Sequence, residues 1–374
     1  NTYQAELIYN HRLVQNRMQK SGIQTTVQQN ITNTTDLRLF LPNYTNKSVG
    51  IYHMKSIILK RTQMDLGLRY DIRHLQVFKY SNKHLIKPSH VYHAFSASYS
   101  LEHTFSKKWS FTYTSAFVMR PPAINELFSD GVHHGESIFI KNIKDDFDFG
   151  TENSLSSTLT LRHATIKSKT HISLFYNKIH NFISLKPTEP IVSIRGAFPT
   201  YYYHQGGAHV MGLDISIQWQ LSKMLTIYNK GSITMGREQY NGTYLLNMPV
   251  PQVSSTLKYG LGQYRWLTNN EIELGYAYFF KQIFFPDNIY ELNYNTVEGP
   301  KSFVIVGDYL PAPKGYGLVH AGANTHIPLG KSTISLFLSF NNLFNVRYRN
   351  YLNRMRYYAD EQGFNCSLTA KISF

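Results

Sequence analysis

Residues 365–374 alternate without a break. Cys366, Leu368, Ala370, Ile372 and Phe374 fall on one side, and Asn365, Ser367, Thr369, Lys371 and Ser373 on the other. Successive side chains of a β-strand point to opposite faces, so this segment reads as a strand with one apolar and one polar face. A slip of one residue would exchange the faces, which makes the register well specified. The same period recurs upstream. Met64, Leu66, Leu68, Tyr70 and Ile72 interleave with Asp65, Gly67, Arg69, Asp71 and Arg73. Leu213, Ile215, Ile217, Trp219 and Leu221 interleave with Asp214, Ser216, Gln218 and Gln220. Leu257–Leu261, Ile272–Tyr278 and Ile334–Phe340 repeat the pattern.

Alternation alone fits a soluble sandwich as well as a membrane barrel. Connector lengths favour the barrel. Short turns near Lys60–Gln63, Ser106–Lys108, Thr165–Lys169, Leu221–Lys223, Gln263–Asn269 and Leu329–Ser332 take turns with long polar segments at 127–152, 186–208, 237–250 and 282–314. Tight turns on one rim and long loops on the other are the habit of transmembrane barrels. Mean hydropathy is −0.31, and no run approaches the roughly 18 apolar residues of a membrane helix. Aromatic residues make up 14% of the chain, which suits strands and interfacial girdles. The expected fold class is therefore all-β, an antiparallel transmembrane β-barrel.

The net charge is +15, yet Lys and Arg are spread along the chain with no basic run, so no nucleic-acid partner is expected. One Cys excludes an internal disulfide framework. Cys366, on the apolar face, reads as a buried, inert thiol. No GxSxG elbow, P-loop or dinucleotide fingerprint is present, so neither an enzyme nor a resident cofactor is expected.

A last strand closing on Phe374 resembles the assembly signal of bacterial outer-membrane barrels, which implies the barrel-assembly machinery and membrane lipid as partners. With Phe374 at the periplasmic end, about fifteen strands can be counted back, and the first also runs inward. A bacterial barrel closes on an even number, so the chain is expected to be a piece of a longer one. Three segments resemble the carboxy-terminal barrel of TonB-dependent outer-membrane receptors: Leu66-Gly67-Leu68-Arg69-Tyr70-Asp71; Arg120-Pro121-Pro122 with Asn125-Glu126-Leu127-Phe128; and Asn341-Asn342-Leu343-Phe344-Asn345 with Tyr348, Tyr351 and Gly363-Phe364-Asn365. The resemblance covers most of residues 1–374. It implies a barrel of about 22 strands, plugged by a globular domain not visible in this stretch. It also implies a Gram-negative outer membrane, the TonB energy-transducing complex as partner, and a receptor working as a single barrel. A passive porin or an adhesin without a plug is the alternative.

The expected cargo is zinc, haem or a ferric siderophore. Glu126, Asp130, His133, His134 and Glu136 crowd one outer loop, and imidazole with carboxylate oxygen suits Zn²⁺. A second loop adds His204 and His209 with Tyr201, Tyr202 and Tyr203. His and Tyr are also haem ligands, and the Ile194–Gln205 segment resembles receptors associated with zinc or haem uptake. Arg120-Pro121-Pro122 is expected to be architectural, because Pro ends strand pairing. Arg69, Asp71, Arg73, Lys258, Glu271 and Glu273 are expected to pair with one another in a wet lumen.

Overall fold

The computed structural model describes residues 1–14, 17–32, 40–81, 84–133, 136–139, 149–193, 196–286, 289–296, 299–306 and 308–373. His134, Asp145, Asp146, Ile194, Arg195 and Phe374 lie outside the described residues, as does any structural reading of the terminal Phe.

Fifteen long strands carry the fold. The first eight are Thr2–Val14, Arg17–Asn30, Asn43–Leu59, Thr62–Ser81, Ser89–Thr104, Trp109–Arg120, Glu152–Ala164 and Ser168–Ser193. The rest are Gly196–Gln220, Leu225–Glu238, Gln252–Tyr264, Leu267–Phe279, Tyr316–Leu329, Ser332–Asn341 and Asn365–Ser373. Each is antiparallel to the next, from Thr2↔Gln28 through to Thr333↔Ser373. Among the described residues, Thr2–Val14 pairs only with Arg17–Asn30, and Asn365–Ser373 only with Ser332–Asn341. No described helix is long and apolar enough to cross a membrane.

Side-chain burial follows the period-2 pattern. Leu66, Leu68, Tyr70 and Ile72 are exposed, and so are Leu257, Tyr259, Ile272 and Leu274. Between them the inward residues pair. Arg69 donates to Asp71 at 2.6 and 2.7 Å, and Lys258 reaches Glu271 and Glu273 at 3.0 Å each. All three Trp, at 109, 219 and 266, are exposed and sit at the short-turn rim. An amphipathic ring there marks a membrane–water boundary.

Two expectations are corrected. The described residues 186–193 and 196–208 are not a loop. They belong to the strands Ser168–Ser193 and Gly196–Gln220, which stay paired as far as Ser193↔Gly196. Such strands are about twice the roughly ten residues that a tilted crossing needs, so the hairpin stands well beyond the bilayer. Polar sequence outside the lipid zone still pairs as strand, because the ladder is a backbone property. The second concerns Cys366, which is exposed, not buried. It shares the outward face with Leu368, and that face has no protein packed on it.

Candidate functional site

The chemistry collects at the long-loop rim. After the strand Trp109–Arg120, Pro121 and Pro122 turn the chain back, and the short helix Ile124–Phe128 follows. Leu127 and Phe128 pack on Tyr44, Leu75, Val77 and Tyr92. Arg73 fixes the turn by donating to the Pro122 carbonyl at 2.9 Å. Its neighbours in alternation, Leu75 and Val77, line the same inner wall. The Arg-Pro-Pro segment is thus architectural, as its sequence implied.

Arg120 clamps the helix. Its Nε donates to Glu152 at 2.5 Å, and Nη1 and Nη2 donate to the two oxygens of Glu126 at 3.0 Å each. Glu126 also accepts from the Ala123 N–H at 2.7 Å, and Glu152 from the Ile183 N–H at 2.6 Å. A bidentate Arg–carboxylate fork is among the stronger charged contacts. It commits the Glu126 carboxylate to holding this turn.

The two segments singled out for ligand capture are neighbours. Residues 136–139 pair in parallel with 200–202, through Thr200↔Ser137 and Tyr202↔Phe139, and His133 pairs with Glu136. Asn125 donates to the Tyr203 hydroxyl at 2.9 Å. This register sets the backbone of His204 about 16 Å along the strand from the level of Glu136. Asp130 is exposed, with its N–H bonded to the Phe40 carbonyl. Among the described residues, no group of three or more His, Cys, Asp or Glu side chains could hold a metal ion.

Tyr203 lines a cavity of about 330 Å³ with Ile183, Leu185, Lys186, Tyr244 and Met248. Lys186 and Glu238 pair beside it at 3.0 Å. Burial, and then the Lys186 charge, push the His204 imidazole below its usual range. His204 is therefore neutral at pH 7, the form that can bind a metal or accept a proton. His209 stands elsewhere. It lies on the outward face, stacked on Tyr176, with its Nδ1 2.7 Å from the hydroxyl.

Sequence reasoning missed a buried cluster that ties three outer connections together. Arg356 and Asp308, only 3% and 5% exposed, form a direct ion pair. Tyr357 donates to Asp308 at 2.5 Å and meets the Tyr201 hydroxyl at 2.6 Å. The Arg356 guanidinium lies 4.7 Å from the ring centres of both Tyr351 and Tyr357, a cation–π contact strengthened by desolvation. Burial and the Asp308 charge hold the Tyr357 phenol far above its usual range, and burial pushes Tyr351 up to about 12. Tyr309 bridges the carbonyls of Thr188 and Thr200. The 342–364 connection is held from its start by Asn342, whose side chain bonds both N–H and C=O of Val346. Asn342 and Asn345 have φ of 50° and 51°, a conformation Asn tolerates better than most residues. That is the physical content of the Asn-Asn-Leu-Phe-Asn motif.

Comparison with known proteins places this architecture. The family model described as TonB dependent receptor-like, beta-barrel matches residues 2–343. The copper transporter OprC superposes with a TM-score of 0.76 at 15% identity, over 99% of this chain and 56% of that one. The FrpB iron transporter from Neisseria meningitidis (F3-3 variant) gives 0.65 at 16% identity, over 98% and 54%. The ferric yersiniabactin uptake receptor FyuA from Yersinia pestis gives 0.58 at 12%, over 100% and 52%. The chain spans about half the length of these solved structures. No curated protein matches it in sequence. The match over residues 2–343 settles the family: this chain belongs to the TonB-dependent receptor-like β-barrels.

Proposed function

We propose that this chain is barrel wall and outer mouth of a receptor in a Gram-negative outer membrane, importing a scarce metal or metal complex. Its cargo in this reading is zinc, haem or a ferric siderophore. Capture falls to the outer connections, and import to the TonB complex acting through a plug carried elsewhere in the full protein. The receptor works as a single barrel, without catalysis. The observation that carries the reading is the pairing of 136–139 with 200–202. It gathers histidine and tyrosine donors from two connections at one mouth, beside a cavity walled by Tyr203 and Tyr244.

Within this reading His133, His134 and Asp130 contact the metal, with Tyr202, Tyr203 and His204 facing the rest of the cargo, while Tyr201, buried against Tyr357, supports them from behind. Imidazole and carboxylate suit Zn²⁺, and the tyrosines suit the flat rings of haem or a catecholate. The test is a titration of the full-length receptor with zinc, haem and ferric siderophores, beside His133→Ala/His134→Ala. The double variant is expected to weaken zinc or haem binding at least tenfold, on the order of 1.4 kcal/mol. Siderophore binding untouched by the variant would remove the two histidines from the site.

A further inference from the structure

Three outward-facing basic side chains form a row across adjacent strands. Lys178 lies directly opposite His209, and His209 directly opposite Arg237. Their face is the lipid-facing one. Below Lys178 on the same face is Leu174, 53% exposed, and below Arg237 is Ile233, 37% exposed. The row stands about ten to twelve residues above the inner ends of its strands, or about 25–28 Å along the barrel axis at the usual tilt. The apolar band of such a barrel is about 25 Å tall, so the row sits at the level of the outer headgroups.

The row is preorganised, and among the described residues no carboxylate pairs with it. Glu238, next to Arg237 in sequence, faces the other way and pairs with Lys186. Tyr244 accepts from Arg237 Nη2 at 2.6 Å and stacks under the guanidinium at 4.5 Å, fixing its plane. Tyr176 meets His209 at Nδ1, which leaves Nε2 available toward the membrane. Lys47 opposite His74 stands at a similar height on the same face, with the strand of His74 four strands from that of Lys178. Water-facing loops need no such row, and hydrocarbon would not tolerate it.

We propose that Lys178, His209 and Arg237 bind the phosphate of a lipid headgroup in the outer leaflet. This rests on the outer-membrane reading above. Arg suits phosphate through its planar fork and Lys as a point charge. The outward aim and the apolar strip beneath select a lipid over a soluble anion.

The full-length receptor, purified in mild detergent from the membrane fraction that holds it, would be titrated with lipid A and with its dephosphorylated form. Bound lipid would be read by native mass spectrometry. At about 1 kcal/mol per basic residue near a membrane surface, Lys178→Gln/Arg237→Gln should lose roughly thirty-fold in affinity for phosphorylated lipid. Lys178→Gln alone should lose roughly fivefold. Lys230→Gln, a cation removed from the inner face, should change nothing. Equal binding of both lipids, or equal binding by the double variant, would overturn the proposal. So would inorganic phosphate displacing the lipid at matched concentration, which would mark a site for free anions. Recovery of the receptor outside the outer membrane would instead defeat the reading on which the proposal rests.

Discussion

Arg356→Met should open the outer mouth. The substitution leaves Asp308, 5% exposed, charged and without its cation. Removing one member of a buried pair costs about 3–5 kcal/mol, because the survivor keeps its desolvation penalty. The loss is local. The inner part of the ladder does not depend on the pair, so hydrogen exchange should accelerate in 342–364 and in the outer strand ends 188–193 and 196–201, while the rest of the ladder keeps its protection. Asp308→Asn/Arg356→Met should recover most of the protection, since neither remaining group is charged. Unchanged exchange at both connections in Arg356→Met would show that the cluster is not what ties them.

Arg120→Met is the second large effect. It strips the cation from Glu126 and Glu152, whose side chains are 13% and 9% exposed. The cost should be about 2 kcal/mol, below that of the buried pair, because the Arg120 side chain keeps 42% of its surface in solvent. The helix Ile124–Phe128 should then leave the inner wall, and Leu127 and Phe128 should become accessible to proteolysis. Proteolysis at Leu127 and Phe128 no faster in Arg120→Met than in the wild type would contradict the clamp.

The wall of the molecule was readable because lipid imposes a rule on every crossing. Leu66, Leu68 and Tyr70 must face out and Arg69 and Asp71 must not, so the strand count and the turns followed from period 2 alone. Beyond the bilayer that rule lapses. Residues 186–208 are broken by Pro187, Pro190, Gly196, Pro199, Gly206 and Gly207 and show no sustained alternation, so the sequence carried no sign that they continue the ladder. Glu126 looked like a free carboxylate although its partner Arg120 stands only six residues back, because nothing in the sequence says that the Pro121-Pro122 turn brings the two together. Ala123 also lacks the hydroxyl that would have advertised a helix start. Arg356 and Asp308 are 48 residues apart, in segments with no periodicity, and only the fold brings them together. The surrounding Tyr351, Tyr357 and Tyr358 were a weak signal, since aromatic residues fill the whole chain.

The Lys178–His209–Arg237 row could have been found from sequence by extending the outward alternation past Tyr176, Met211 and Met235. What hid it was the register, which sets three residues from three strands side by side. The net charge of +15 thus has a partial address on the outer wall, beyond the lumen and mouth where a cargo would pass.

The central claim is energised import through this barrel. Uptake of radiolabelled zinc and of iron as haem or siderophore should be measured in cells that carry or lack the receptor, each with and without TonB. Energised import should give receptor-dependent uptake of one of these cargoes that disappears when TonB is removed. Receptor-dependent uptake that persists at full rate without TonB would contradict it and identify a passive pore.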